Sequence, residues 1–342
     1  MAVPEPKMPS SDNAMLSVRD LRVQYETADG TISAVAGVSF DVAAGEIVAL
    51  VGESGCGKST VALAMLRLIE EPGRIAGGKI YLDGRDLLGL SERGMRSVRG
   101  NEMSMVFQEP MTTLNPVHRI DRQVGEPLRL HARMGARAAA KASVDLLRSV
   151  QIPAPERRSR DYPHSLSGGM RQRVVIAMGM ACAPKVIIAD EPTTALDVTV
   201  QAQVLDLLKS QVQERNLAML LITHNLGIVA RYARRVYVMY AGRIVESAPT
   251  EELYASPRHP YSVGLLKSVP RLDQDLDERL APIPGAPPDP LARAKGCVFS
   301  PRCPLVIDRC RAEEPPLIAV NERHRSACWV MPAIAATEPR NA

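Results

Sequence analysis

A glycine-rich stretch, GESGCGKST, occupies positions 52–60 and is the part of the sequence best suited to chemistry. Positions 52–59 match G-x-x-x-x-G-K-[ST], between a strand-like run, EIVALVG, and a helix-like run, VALAMLRLI. In that context the loop N–H groups and the helix start can surround phosphate groups. The alternative is an ordinary glycine-rich turn before a helix. The pattern predicts a nucleotide-binding loop made of Gly52, Glu53, Ser54, Gly55, Cys56, Gly57, Lys58, Ser59 and Thr60.

Metal and base candidates lie in and near this loop. Lys58 is expected to reach the β- and γ-phosphates, and the Ser59 hydroxyl to bind Mg²⁺. Two adjacent carboxylates, Asp190 and Glu191, close another buried strand-like run, VIIADEP. Neighbouring residues on extended backbone point in opposite directions, which favours separate roles. We expect Asp190 to hold Mg²⁺ and Glu191 to activate the attacking water; the alternative is a solvated strand end.

Two further polar residues end strand-like runs: His224 follows LAMLLIT, and Gln108 follows MSMVF. Strand ends at one edge of a doubly wound sheet converge on the ligand crevice. His224 is therefore a candidate donor to the γ-phosphate, with capping of the next helix as the alternative. The Gln108 amide is a candidate contact to Mg²⁺ or to the attacking water.

A second glycine-rich stretch, HSLSGGMRQR, opens onto another helix-like run but contains no lysine. Ser167, Gly168 and Gly169 offer a hydroxyl and backbone N–H groups at a helix start, which suits an anion. The stretch therefore has the properties of half a phosphate site in a chain that already contains a complete one.

Composition limits the possible classes of function. The 342 residues are 46% hydrophobic, enough for a sizeable core, and the formal charge of +4 does not indicate a nucleic-acid footprint. No run reaches the roughly 18 apolar residues of a membrane helix, and the first residues do not resemble a secretion signal. We therefore expect a cytosolic protein.

The order of the runs predicts an α/β fold with a largely parallel sheet. Two early runs, LSVRDLRVQYE and VAGVSFDVAAG, alternate apolar with polar residues and predict an antiparallel β subdomain. A helical insertion is expected at about 111–183. We predict a loose tail at 1–13, the nucleotide-binding domain at 14–255 and a separate cysteine-rich extension at 256–342.

Four cysteines of this extension lie close together in the sequence: Cys297, Cys303, Cys310 and Cys328. In a reducing cytosol, such a group indicates a metal more than disulfides. Its spacing is not that of paired C-x2-C zinc sites, and four thiolates without histidine also suit a [4Fe–4S] cluster. An iron–sulfur cluster, zinc and uncoordinated thiols all remain open on this pattern.

Taken together, the phosphate loop, VFQEP, LSGGM, VIIADEP, ALD and ITH resemble the ATPase subunits of ABC transporters, with a P-loop NTPase core. Within them, the chain resembles the di-/oligopeptide (and nickel) importer family from about Met15 onward. MTTLNP, SGGMRQR, YAGRIVESAPTEELYASPRHPYSVGLL and the cysteine-bearing tail support this resemblance. The signature has Met170 where many relatives have glutamine, a change that this branch tolerates.

The resemblance implies that two ATPase subunits stack head to tail. Ser167, Gly168 and Gly169 of one subunit would then cap the γ-phosphate that the other subunit holds. It further implies that Tyr25 stacks on adenine, with simple packing as the alternative, and that Asp197 lies at the dimer interface. Gln108 would sense Mg²⁺ near the membrane subunits, and the cysteines would hold a [4Fe–4S] cluster.

The implied function is hydrolysis of ATP to drive uptake of di- or oligopeptides. The implied partners are a second ATPase subunit, identical or paralogous, two multi-span membrane permease subunits and an extracytoplasmic substrate-binding protein, with no nucleic acid. The implied location is the cytoplasmic face of the inner membrane. Alternatives are the same motor for nickel or another small solute, a soluble ABC ATPase acting on ribosomes or DNA, and a cluster-bearing redox protein.

Overall fold

The computed structural model describes residues 14–107, 109–194, 196–268, 283–289, 291 and 295–331. The strands in these ranges are β1 Ala14–Thr27, β2 Gly30–Ala43, β3 Ile47–Val51, β4 Gly73–Leu82, β5 Arg85–Asp86, β6 Met103–Val106, β7 Val186–Asp190, β8 Ala218–Thr223, β9 Arg235–Tyr240, β10 Arg243–Pro249, β11 Ile318–Ala319 and β12 Arg325–Ser326. The α-helices are α1 Lys58–Met65, α2 Glu92–Val98, α3 Pro110–Thr113, α4 Ile120–His131, α5 Ala136–Ser149, α6 Pro155–Arg158, α7 Gly168–Met180, α8 Val198–Arg215, α9 Leu226–Tyr232, α10 Thr250–Ala255, α11 Pro260–Lys267 and α12 Asp308–Ala312.

The main sheet has the strand order β11-β12-β10-β9-β3-β8-β7-β6. Strands β9, β3, β8, β7 and β6 are parallel, whereas β10, β11 and β12 pair antiparallel at one side. Both faces of the parallel strands are covered. In β3, Ile47, Ala49 and Val51 face one hydrophobic cluster, while Val48 and Leu50 face the other. The continuous apolar runs of the sequence follow from this two-sided burial.

The second sheet, β2-β1-β4-β5, is antiparallel throughout, as the alternating early runs predict. Its inner face packs with α1 and one face of the main sheet, through residues such as Val18, Phe40 and Ile80. The chain reverses between Thr27 and Gly30.

Helices α3 to α7 lie between β6 and β7, where the sequence predicts a helical insertion. Helix α4 packs against α5 and α7, with Val124, Leu147 and Val174 in one cluster with the main sheet. Within the described residues, no helix combines the length and apolar character that crossing a bilayer requires.

The extension differs from the predicted separate appendage. Strands β11 and β12 continue the main sheet beside β10, and Cys297, Phe299 and Cys310 belong to the same hydrophobic cluster as Tyr240 and Tyr261. The Phe299 ring lies edge-on to both tyrosines, at centroid distances of 5.2 and 5.5 Å. The reason is that so short a segment buries its apolar side chains against the ATPase core. The boundary at 255/256 stays a prediction.

A buried carboxylate on β10 also holds the extension against the ATPase core. The Glu246 carboxylate on β10 is fully buried and accepts hydrogen bonds from the N–H groups of Arg258 and His259, at 2.5 and 2.9 Å. It also pairs with Nε2 of His324 at 2.7 Å, while Nδ1 of His324 lies 3.2 Å from Glu252. Because a buried charge without partners is costly, these contacts must form together.

We predict that Glu246→Gln destabilises the protein by about 1–3 kcal/mol, the usual cost of leaving buried hydrogen-bonding groups without partners. Urea unfolding of the full chain measures the change. Glu313→Gln is the matched control in the same extension, because its ion pair with Arg309 is exposed and should contribute little. Equal effects of the two substitutions would contradict the role given to Glu246.

Candidate nucleotide-binding site

The loop between β3 and α1 is held close to neighbouring backbone. A Cβ atom on Gly52 would lie 2.1 Å from the carbonyl oxygen of Met239, and one on Gly57 would lie 2.3 Å from that of Ala34. Gly57 also precedes α1 with φ of 104°, in the left-handed region that favours glycine. The spacing of glycines therefore reflects close packing of the loop against β2 and β9.

Lys58 is buried at the start of α1. Its Nζ donates hydrogen bonds to the carbonyl oxygens of Gly52 and Glu53, at 2.8 and 2.9 Å. The neighbouring Cys56 thiol is also buried, and burial raises its pKa, an effect that the nearby ammonium partly offsets. The arrangement places a positive charge and a helix N-terminus at one point, which suits a polyphosphate.

Asp190 closes β7 beside this loop. Burial raises the pKa of its carboxyl group, and Glu191 raises it further, whereas a hydrogen bond with Ser59 lowers it. The buried Oδ1 atom has no hydrogen-bond partner among the described residues. An unsatisfied carboxylate oxygen beside a hydroxyl is a donor set that fits Mg²⁺. The structure thus brings Ser59 and Asp190 together, as the sequence predicts.

Glu191 has a different environment from its neighbour. Its Oε1 lies 2.9 Å from Nδ1 of His224, and its Oε2 accepts a hydrogen bond from Thr194 at 2.9 Å. Burial acts to raise the pKa of Glu191, but the contacts with His224 and Thr194 outweigh it and lower the pKa. Glu191 also has φ of 46°, a strained backbone for a non-glycine residue. The contact of Thr194 depends on this turn, so its place beside Glu191 does not follow from the sequence pattern.

A cleft of 740 Å³ opens beside the loop. Residues 53–56, part of β2, the turn at 240–243 and residues 287–289 of the extension line it. Gln24 lines the cleft, whereas Tyr25 is half-buried and its Cε1 would lie 2.5 Å from a Cβ on Gly73. Stacking of Tyr25 on adenine stays a prediction.

The second glycine-rich stretch begins α7. The Ser167 hydroxyl accepts a hydrogen bond from the Met170 N–H at 3.4 Å, and Ser167 and Gly168 are exposed. Gly169 lies against Val200, where an added Cβ would come within 2.5 Å of a methyl group. Asp197, exposed at the start of α8, accepts from the Val200 N–H at 3.0 Å. The fold thus brings Ser167 and Asp197 to neighbouring helix starts. Gln108 lies outside the described residues.

The four cysteines of the extension lie close enough for their charges to interact. Burial first, and then the other three thiols, raise the pKa of Cys328 to about 11. Burial likewise raises the pKa of Cys297 and Cys303. The backbone N–H of Cys297 also donates to the carbonyl of Cys310 at 2.7 Å. In the described part of the chain, however, no group of three or more His, Cys, Asp or Glu side chains is arranged to hold a metal ion, so the iron–sulfur prediction is not confirmed.

The fold and the site together define a P-loop ATPase. The ABC transporter family model matches residues 35–194, and the model for the oligopeptide/dipeptide transporter C-terminal region matches residues 245–310. The chain belongs to the family of ABC transporter ATP-binding subunits that have this C-terminal region.

Curated relatives and solved structures agree with this assignment. A Brucella ovis protein named as a putative peptide import ATP-binding protein is 50% identical over 95% of this chain and all of its own length. The oligopeptide transport ATP-binding protein OppD of Bacillus subtilis is 46% identical over 96% of this chain and 92% of its own. The ATP-binding cassette MJ0796, solved as a post-hydrolysis dimer with ADP and Pi, has a TM-score of 0.62 and 26% identity, over 69% of this chain and 99% of its own.

We predict that Asp190→Asn stabilises the nucleotide-free protein by about 1 kcal/mol while abolishing the effect of Mg²⁺ on ATP affinity. Because the carboxyl pKa is raised, the folded state binds the proton more tightly than the unfolded state does. The stability that protonated Asp190 contributes is therefore lost as pH rises through the raised pKa. Thermal unfolding and ATP titrations with Mg²⁺ or with EDTA measure the two effects. An unchanged response to Mg²⁺ would contradict the assignment.

Proposed function

We propose that this chain is the ATP-hydrolysing motor of an importer for di- or oligopeptides. The main supporting observation is that three features lie together at one edge of the sheet: the buried Lys58, the Ser59–Asp190 pair and the Glu191–His224 pair. The match of residues 245–310 and the names of the relatives support a peptide cargo.

In the proposed mechanism, Lys58 releases its loop carbonyls and binds the β- and γ-phosphates, while loop N–H groups hold the remaining oxygens. Ser59 and Asp190 would hold Mg²⁺, and the chemistry that the bound ion would supply is neutralisation of charge on the phosphates. Glu191, kept ionised by its lowered pKa, accepts a proton from the attacking water. His224 positions this carboxylate and donates toward the γ-phosphate. Gln108 would contact Mg²⁺ or the attacking water, and Tyr25 would stack on the adenine.

The remaining residues of the proposal act between subunits. Ser167 and Gly168 are exposed and Gly169 is half-buried; together they form a helix start, which would be an anion site that the chain's own loop does not need. In a head-to-tail pair they would complete the partner's site, with Asp197 at the interface. ATP would then close the pair, and hydrolysis would reopen it.

This closure would be transmitted to two multi-span permease subunits at the cytoplasmic face of the membrane. An extracytoplasmic binding protein would deliver the peptide. The second ATPase subunit would be an identical copy or a paralogue.

The four cysteines would hold a [4Fe–4S] cluster. Supporting this are four cysteines near enough for their charges to interact, without a histidine among them, in a segment whose burial disfavours free thiolates. A bound cation would supply the charge that stabilises the thiolate forms, and its role in this short segment would be structural.

We predict that Ser167→Ala lowers ATP hydrolysis by the assembled transporter at least tenfold while ATP affinity of the isolated subunit stays within twofold of wild type. The reason is that the hydroxyl serves a nucleotide held by the other subunit. Turnover assays and nucleotide titrations measure the two quantities.

Ser91→Ala is the matched control, because Ser91 caps α2 through the same type of bond, from the Gly94 N–H at 3.2 Å. It removes a helix cap away from the site and should leave turnover unchanged. Loss of ATP affinity in isolated Ser167→Ala would contradict the role between subunits.

We also predict that protein purified without oxygen contains about four iron atoms and four acid-labile sulfides per chain. Cys303→Ser should lower the bound iron, whereas Cys182→Ser, outside the extension, should not. Zinc without sulfide would identify the alternative metal. Absence of both iron and zinc from the purified protein would contradict a metal centre altogether.

A further inference from the structure

Glu53, in the phosphate loop, is held by residues that lie far away in the sequence. Its carboxylate accepts two hydrogen bonds from the Arg302 guanidinium, Nη1 to Oε2 at 2.8 Å and Nη2 to Oε1 at 3.1 Å. Its backbone N–H donates to the Tyr261 hydroxyl at 2.9 Å. Because Lys58 binds the carbonyl oxygen of the same residue, Glu53 is where the loop meets the extension.

Arg302 is itself fixed in place. Its side chain is only 5% exposed, and its remaining N–H groups donate to the carbonyls of Pro284 and Ile283, at 3.0 and 3.2 Å. The guanidinium also reaches the Tyr240 hydroxyl at 3.3 Å and lies over its ring. A bidentate arginine–carboxylate pair, here between a nearly buried arginine and a partly exposed glutamate, has a defined geometry that a lysine cannot reproduce.

The extension therefore restrains the loop rather than merely covering it. Arg302 directly precedes Cys303, and Phe299, three residues earlier, packs edge-on to Tyr240 and Tyr261. The guanidinium and the hydroxyl that hold Glu53 thus belong to one packed cluster. Movement of this cluster would move Glu53, and with it the carbonyls and N–H groups that surround Lys58 and the phosphates.

We propose that Arg302 is a positioning residue for ATP binding: acting through the Glu53 carboxylate, it holds the phosphate loop in its binding conformation and makes the extension part of the nucleotide site. This inference rests on the proposed role of the loop in binding ATP. Arg302 acts on the nucleotide only through Glu53, which distinguishes it from a residue that contacts phosphate.

The test measures the Kd of mant-ATP with Mg²⁺ for the full chain. Arg302→Gln is expected to raise the Kd about tenfold, and Arg302→Lys by less, since it keeps the charge without the paired geometry. Arg309→Gln is the matched control. Arg309 also pairs with a glutamate, Glu313, and lies over an aromatic ring, Trp329, but it is remote from the loop in its contacts. The Kd of mant-ATP for the Arg309→Gln variant should equal that for wild type.

A double-mutant cycle separates positioning from general stability. Glu53→Gln should raise the Kd about as much as Arg302→Gln, and the double variant should be no weaker than either single one. Additive effects, or an Arg302→Gln affinity within twofold of wild type, would overturn the inference. Glu53→Gln alone remains decisive if Arg302→Gln does not fold, because an unchanged Kd would equally overturn it.

The Lys58→Ala variant distinguishes failure of the inference about Arg302 from failure of the proposed function. Its loss of mant-ATP binding shows that the probe occupies the phosphate loop. Failure of the wild-type chain to bind mant-ATP would contradict the proposed function. Normal binding by the wild-type chain with an unchanged Kd in Arg302→Gln would contradict only the inference.

Discussion

Burial of the Lys58 ammonium group is the interaction on which the site depends. Removing a charge from water is costly, and here the carbonyl oxygens of Gly52 and Glu53 offset that cost. Those carbonyls point inward only because the loop packs tightly against Met239 and Ala34. The loop is thus organised around a positive charge, and in the proposed binding of ATP a phosphate group takes the place of these two carbonyl oxygens as the partner of Lys58.

The two carboxylates beside the loop show how adjacent residues acquire different chemistry. Asp190 lies at the end of β7, where burial raises its pKa, and its Oδ1 atom has no hydrogen-bond partner in the part of the chain that the structure describes, so a cation is its natural partner. Glu191 turns away through a left-handed backbone conformation toward His224 and Thr194, and its pKa is lowered. The left-handed backbone at Glu191 thus gives two adjacent carboxylates, the proposed metal ligand and the proposed base, different surroundings.

Local patterns were sufficient to predict most of the ATPase fold and much of the candidate site. The phosphate loop, the strand ends at Asp190 and His224, and the helix start at Ser167 each depend on residues that are neighbours in the sequence. The docking of the extension could not be predicted in this way. Arg302 and Glu53 are 249 residues apart, His324 and Glu246 are 78 apart, and β12 has only two residues. Such contacts depend on tertiary packing, which periodicity does not encode.

The same packing implies that the extension and the nucleotide influence each other. Cys297, Phe299 and Cys310 are buried in the ATPase cluster, so the extension obtains its stability from the domain that it contacts. Linkage between two events is reciprocal: if a docked extension favours the binding conformation of the loop, then bound ATP must favour docking by the same free energy. The cysteines lie within this coupled segment. A metal centre of the kind proposed for them would therefore act on the same equilibrium, through Arg302 and Glu53, without contacting the nucleotide.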